Sequence, residues 1–406
     1  MKHVQGLVCR ECGKSYPIAA EHVCELCFGP LEVSLDYEGV ATSVSPEVIG
    51  AGPPTMWRYE ALLPSPEERV DMGAGLTPLR EAPRLAAELG LRKLWIKNDG
   101  ANPTHSFKDR VVSVALSVAR WFGYEVAACA STGNLANAVA AHAAAAGMRS
   151  VVLVPRDLEA GKLAATTIYG GDVLAVDGSY DDVNRLCAEL AGTRPWAFVN
   201  VNMRPYYAEG SKTIAFEIAE QLGWRAPDAV VVPIAAGSML TKIGKGLQEL
   251  HKVGLLPEPA GTAIHGAQAS GCSPVASAFA RDATDVSPVK PDTVAKSLAI
   301  GTPADGPYAL AAVRQSGGSV AAVPEESVVQ GMRLLARTEG LFTETAGGVT
   351  IAALEQMVRG GSISPSDEAV AVITGVGLKT IEALGDADPA RQIRATVEEV
   401  DSALGF

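Results

Sequence analysis

Lys108 stands in the run Asn102-Pro103-Thr104-His105-Ser106-Phe107-Lys108-Asp109-Arg110, where a loop of small residues passes into an apolar stretch of helical spacing that ends at Trp121. Ser106 is placed to cap that helix, which puts the lysine in its first turn, against the positive end of the aligned peptide dipoles. A cation gains nothing there. The position therefore favours the neutral amine, the form that attacks a carbonyl carbon to make a Schiff base. The residues alone also allow a plainer reading, a solvated lysine paired with Asp109. Three more strand-to-loop junctions have the composition of ligand sites: Ser131-Thr132-Gly133-Asn134, Ala235-Ala236-Gly237-Ser238-Met239 and Thr374-Gly375-Val376-Gly377-Leu378. Small residues at such junctions bare backbone N–H groups, and the following helix turns its N-terminus toward an anion.

A second chemistry is written near the N-terminus. Cys9 and Cys12, then Cys24 and Cys27, form two C-x-x-C pairs, with Gly13 after the first and Phe28-Gly29 after the second. This is the pattern in which a tight turn aims two thiolates at one tetrahedral metal, although the gap between the pairs is shorter than usual for a zinc ribbon. Structural zinc is expected on the four cysteines, since four thiolates leave no open position for catalysis, with a metal-free ribbon propped against the main domain as the plainer reading. Cys129, Cys187 and Cys272 lie singly and read as ordinary buried thiols, and a disulfide framework is not expected.

The elements that must position these groups follow from pattern and length. The 406 residues are 48% hydrophobic and 20% charged, which excludes a disordered chain and gives room for two or three domains at roughly 150 residues each. A net charge of −12 argues against a nucleic-acid partner, because phosphate affinity comes from clustered Lys and Arg. No apolar run reaches the ~20 residues of a membrane helix, and no apolar leader precedes the first cysteine pair, so a cytoplasmic protein is expected. Residues 1–40 read as a small zinc-ribbon-like module with a strand from Leu31, and 41–75, rich in Pro and Gly, as a linker. Beyond it, apolar strands at 94–97, 125–130, 150–155, 172–176, 229–234 and 369–374 alternate with helical stretches. Continuous apolar strands separated by helices mean doubly wound parallel sheets covered on both faces. The expected organisation is an α/β fold of two such domains with a cofactor between them. Residues 76–225 would hold the first part of both, with Lys108, and 226–406 the remainder of the large domain.

The run Asn-Pro-Thr-x-Ser-Phe-Lys-Asp-Arg resembles the cofactor-lysine motif of threonine synthases, pyridoxal-phosphate enzymes of the tryptophan-synthase β-subunit fold. Gly75-Leu76-Thr77-Pro78-Leu79, Ser131-Thr132-Gly133-Asn134, Glu209-Gly210-Ser211-Lys212-Thr213 and Thr374-Gly375-Val376-Gly377-Leu378-Lys379 are similar to further motifs of that family, in family order. The resemblance covers roughly 70–406, and the double C-x-x-C recurs in one branch of the family. It implies that Lys108 carries pyridoxal 5'-phosphate covalently and moves the substrate's protons. Asn134 would meet the cofactor's ring hydroxyl, Thr374 its pyridine nitrogen, and Ala235, Ala236, Gly237, Ser238 and Met239 its phosphate. Ser131, Thr132 and Gly133 would bind the substrate carboxylate, and the enzyme would be a homodimer acting on a small phosphorylated amino acid.

Two departures stand out. The 235–239 loop has one glycine where the family usually has more glycine and asparagine, and His105 stands where many relatives have glycine. A leaving phosphate needs fixed cations. Lys162 and Arg204, near segments that line the family's pocket, are the candidates, with plain surface charge as the competing reading. Thr343-Glu344-Thr345-Ala346-Gly347-Gly348 and Lys296-Ser297-Leu298-Ala299-Ile300-Gly301 resemble family segments near the site, without a role that the residues themselves assign. The implied reaction turns O-phospho-L-homoserine and water into L-threonine and phosphate. A β-replacement on O-phosphoserine, as in cysteate synthases, would use the same lysine and cations. A non-catalytic protein whose ribbon recruits a partner is the reading from another class.

Overall fold

A computed structural model describes residues 1–131, 133–156, 160–178, 180–256, 261–385 and 390–405, the side chains at 155, 160–162 and 180–181 excepted. In chain order the strands are β1 (Val4–Cys9), β2 (Ser15–Tyr16), β3 (Leu31–Leu35), β4 (Leu79–Glu81), β5 (Lys93–Asn98), β6 (Val126–Ala130) and β7 (Arg149–Pro155). They continue with β8 (Asp172–Val176), β9 (Trp196–Phe198), β10 (Ala229–Pro233), β11 (Ala263–Ala269), β12 (Val320–Val323) and β13 (Glu368–Ile373). Three sheets result, ordered β2-β1-β3, β8-β7-β6-β9 and β12-β11-β10-β13-β5-β4. The first is antiparallel, the second parallel, and the third parallel except at its edge strand β4.

After the N-terminal sheet the chain builds two strands of the six-stranded sheet, leaves to make the whole four-stranded sheet, and returns to finish the six-stranded one. β10 and β13 are buried at every residue, as central strands covered on both faces must be. β11 escaped the apolar pattern because it carries His265 and Gln268 inside the fold. Gln268 Oε1 accepts the backbone N–H groups of Val275 and Ala276, and His265 Nδ1 lies 2.9 Å from Ser319 Oγ, so each side chain is anchored by one of its polar atoms.

Residues 41–75 show little periodicity in the sequence, yet they are packed chain. A 3-10 turn over Met56–Leu62 buries Met56, Trp57, Tyr59 and Leu62. Trp57 Nε1 donates to Ser113 Oγ at 3.1 Å, and Val70 N to Ser117 Oγ at 2.9 Å, which straps this segment along the helix Lys108–Trp121. The N-terminal sheet is docked as well. Leu7, Leu31, Val33 and Leu35 join one apolar cluster with Val111, Val114 and Val118 of that helix.

Fully buried ion pairs fix the helix that begins with Lys108. Arg110 is fully buried and forks onto two carboxylates: Nε reaches Asp99 Oδ2 at 2.7 Å, Nη2 reaches Glu217 Oε2 at 2.7 Å, and Nη1 also donates to Glu217. Lys97 Nζ completes the set 2.6 Å from Glu217, so two cations face two carboxylates. The Gly75-Leu76-Thr77 segment closes it, with Leu76 N and Thr77 N donating to Glu217 at 2.6 and 3.1 Å. Burial alone would raise the Glu217 carboxyl, but the Arg110 and Lys97 charges overcome it and hold the group at about 2.

A carboxyl depressed in the folded state adds stability above its unfolded value of ~4.3, and that stability is lost as pH falls toward the folded value. Glu217 therefore stabilises the fold at neutral pH and ceases to between roughly pH 4.5 and 2. Glu217→Gln should cost about 3–5 kcal/mol at pH 7, because it leaves Arg110 and Lys97 under-compensated in a dry site. Urea denaturation should show the loss, and the acid limb of the stability curve should flatten over that window.

Candidate active site

Lys108 opens the helix Lys108–Trp121, but Ser106 does not cap it as the sequence suggested. Ser106 is held instead in a bridge to Gly375, with Phe107 N donating to Thr374 O at 2.9 Å and Val376 N to His105 O at 3.2 Å. These bonds stitch the lysine loop to the loop leaving β13. The Ser106 hydroxyl is left buried with no protein partner, as an unfilled ligand contact would be. His105 takes φ +63°, the left-handed region that favours glycine, and its side chain is exposed. That geometry accounts for glycine at the corresponding place in the resemblance.

The pairing of Lys108 with Asp109 does not occur. Asp109 is buried on the other side of the helix, accepting from Thr104 N and Oγ1 at 2.8 and 2.9 Å and lying 2.9 Å from His142 Nε2. Lys108 Nζ, half-buried, donates to Tyr207 Oη at 3.0 Å. Tyr207 lies on the helix Arg204–Glu209, one turn after Arg204. Arg204 Nη2 pairs with Asp305 Oδ2 at 3.0 Å, and Asp305 N donates to Ala236 O at 2.8 Å, in the 235–239 loop. Lysine, tyrosine, arginine and the candidate phosphate loop thus form one continuous chain of contacts.

Opposite them, Glu344 gathers two more expected residues. Its Oε1 accepts from Thr374 Oγ1 at 2.7 Å and its Oε2 from Asn134 Nδ2 at 2.8 Å, while Lys379 Nζ donates to Asn134 Oδ1 at 2.8 Å. Burial lowers the Lys379 ammonium below its ordinary value, against the opposing pull of Glu344 and Asp109. Tyr207 and Glu344 were not assigned from sequence. Tyr207 has no motif of its own, and Glu344 lies in a segment whose resemblance came without a role.

Gly237 takes φ +95° and precedes the helix Ser238–Lys252, whose first N–H groups have no side-chain cap. A Cβ at Gly237 would lie 2.7 Å from Asp305 O, so a single glycine suffices where it is required. Asn134 likewise opens an uncapped helix, Asn134–Ala145, with Ser131 and Gly133 half-buried before it. Thr132 lies outside the described residues, as does the side chain of Lys162, on the helix Ala160–Thr167. All four loops leave the carboxyl ends of parallel strands, the ligand face of such sheets. A half-buried amine, an uncapped helix N-terminus and a free buried hydroxyl are a donor set that fits pyridoxal phosphate, with Asn134 and Thr374 drawn together beside them by Glu344.

The four N-terminal cysteines also converge. Their Sγ atoms all lie within 4.8 Å of one another, with Cys9 to Cys27 at 3.4 Å and Cys12 to Cys24 at 3.6 Å. Two tetrahedral sites on Zn–S bonds of ~2.3 Å are ~3.8 Å apart, so the cluster suits one such ion. In the second knuckle Phe28, not Gly29, takes the left-handed conformation at φ +58°. Gly29 is needed for room, since a Cβ there would meet Glu11 Cγ at 2.6 Å and Cys9 Sγ at 2.9 Å.

Among the described residues no helix is long and apolar enough to cross a membrane. Residues 70–375 match the model of a pyridoxal-phosphate dependent enzyme family. The chain is 40% identical over 398 residues to the threonine synthase of Methanocaldococcus jannaschii, covering 97% of this chain and 95% of that one. It is 37% identical to the threonine synthase of Methanosarcina acetivorans, covering 92% of each. In fold it is similar to a fungal L-serine ammonia-lyase from Rhizomucor miehei, with a TM-score of 0.64 at 20% identity over 78% of this chain and 98% of that one. A pyridoxal 5'-phosphate-dependent aspartate racemase shares the fold at a TM-score of 0.63 and 22% identity, over 76% and 92%. With its lysine loop, its two α/β sheets and matches that run nearly end to end, the chain belongs to the threonine synthases of the pyridoxal-phosphate dependent enzyme family.

Proposed function

We propose that this chain converts O-phospho-L-homoserine and water to L-threonine and phosphate, as a pyridoxal-phosphate-dependent lyase. The observation that carries the reading is Lys108, bonded to Tyr207 one turn from Arg204, in a loop tied to the carboxyl end of β13. When bound, pyridoxal phosphate supplies the electron sink that makes protons at Cα and Cβ of an amino acid labile.

Lys108 holds the cofactor, and its amine takes the proton from substrate Cα and next from Cβ. It then returns one to Cγ once phosphate has left, which makes the methyl group, and one to Cα after water has added; the proton that water gives up leaves with phosphate. Tyr207 keeps that amine aimed. Ser131, Thr132 and Gly133 bind the substrate carboxylate, while Asn134 and Thr374 orient the cofactor ring. Glu344, which accepts from both Asn134 and Thr374, holds those two side chains in register. Backbone donors of Ala235 to Met239 cradle the cofactor phosphate. Arg204 and Lys162 neutralise the substrate phosphate as it leaves Cγ, where the planar guanidinium matches its oxygens in pairs. Water then adds at Cβ.

The finer setting is proposed on the family resemblance: a cytoplasmic homodimer with structural zinc on Cys9, Cys12, Cys24 and Cys27. The meeting of the four sulfurs supports the zinc.

Purified protein given O-phosphohomoserine should release phosphate and threonine one for one. Release only from O-phosphoserine with sulfite would overturn the assignment. Lys108→Ala should lower kcat by roughly 10²–10⁴-fold, and borohydride should no longer fix the cofactor to the protein. Tyr207→Phe should lower kcat by about tenfold, the scale of one lost hydrogen bond, while borohydride fixation persists. Atomic emission should find one zinc per chain, and Cys12→Ser should lose it and open residues 1–40 to protease.

A further inference from the structure

The cysteine module reaches the site through Arg10, which lies between two of the sulfur residues. Arg10 Nη1 is 3.4 Å from Asp305 Oδ1, the carboxylate whose other oxygen pairs with Arg204. Its guanidinium also lies 3.8 Å from the ring centroid of Tyr308, a stack that fixes its plane. Tyr308 in turn donates to Glu11. Asp305 is only 7% exposed, but Arg10 and Arg204 retain 21% and 27%, so both guanidiniums keep a face open to solvent.

That face lines a narrow, solvent-connected recess shared by Arg10, Arg204, Lys242, Ser238, Glu32 and Asp305. Lys242 is engaged by Glu32 and Glu209, which leaves two arginines dividing one carboxylate. The recess adjoins the 235–239 loop through Asp305 N and Ala236 O, and Tyr207 through Arg204's own helix. Two planar forks with one shared counter-charge, beside a serine hydroxyl, suit a tetrahedral dianion better than a carboxylate or a neutral group.

We propose that Arg10, supplied by the cysteine module, binds together with Arg204 a phosphate monoester dianion in this recess. The module is then part of the binding site and not an appendage to it. The inference deepens the reading of the chain as a threonine synthase and rests on it for the identity of the substrate. The same chemistry is offered by the phosphate of the substrate and by that of the cofactor, and the test separates them.

Holoenzyme of the full chain and its Arg10→Ala variant should be compared in three measurements: binding of inorganic phosphate by calorimetry, KM for O-phosphohomoserine, and the cofactor's dissociation constant from its absorbance. Loss of a charged hydrogen-bonding partner should weaken phosphate binding by roughly 10- to 100-fold. A matching rise in KM at nearly constant kcat and unchanged cofactor affinity assigns the substrate's phosphate. Weakened cofactor affinity with unchanged KM assigns the cofactor's. If all three stay within about twofold of wild type, the proposal is overturned. Should O-phosphohomoserine prove not to be a substrate, the calorimetric arm still decides for or against Arg10. If Arg10→Ala loses its metal or its fold, Arg10→Gln, which keeps the stem over Tyr308, carries the same comparison.

Discussion

The Arg110 guanidinium, sealed between Asp99 and Glu217, is the constraint on which the site depends. A charge placed in a dry interior is tolerable only if every donor finds an acceptor in good geometry. Meeting that condition draws together the end of β5, the Gly75-Leu76-Thr77 segment and the helix Lys212–Gln221, far apart in sequence. Arg110 is two residues from Lys108 on the same helix. Whatever holds the guanidinium therefore holds the first turn from which the amine projects. Thr77 and Thr213, from two of the family-like motifs, spend their hydroxyls on this buried cluster.

On the ligand side the lysine loop and the loop after β13 are one unit, because each satisfies the other's backbone. Glu344 extends the unit by accepting from a residue at the end of the small sheet and from one at the end of the large sheet. A carboxylate that spans the two sheets makes the spacing between them a matter of hydrogen-bond length. Preorganisation of this kind suits the proposed reaction, in which one amine moves protons at two adjacent carbons.

The N-terminal sheet belongs to the same economy of buried charge. Glu32 on β3 pairs with Lys242 and Lys245 of the helix Ser238–Lys252, and Glu209 accepts from the same two lysines. Burial would raise the Glu209 carboxyl, yet Lys212, Lys242 and Lys245 hold it at about 2. Tyr206 Oη donates to Ala19 O at 2.8 Å, which ties the module to the helix carrying Arg204 and Tyr207. Glu32, an acidic residue of the ribbon, is thus one of its docking points.

Periodicity and motif by themselves determined the α/β class, the apolar central strands, the four small-residue junctions at strand ends and the sulfur cluster. Each depends on residues close together in the chain, where spacing alone restricts geometry. Tertiary structure decided what spacing cannot carry. Lys108 turns to Tyr207 and not to Asp109, because Asp109 is already claimed by Thr104 and His142. Ser106 gives its backbone to Gly375 and keeps its hydroxyl free, and the aperiodic 41–75 stretch packs through Trp57 and Met56 against a distant helix. Glu344 and Arg10 acquire meaning only when residues 200 or more positions away arrive beside them. A partner at that separation leaves no periodic trace in the chain, since only the closed fold brings the two into contact.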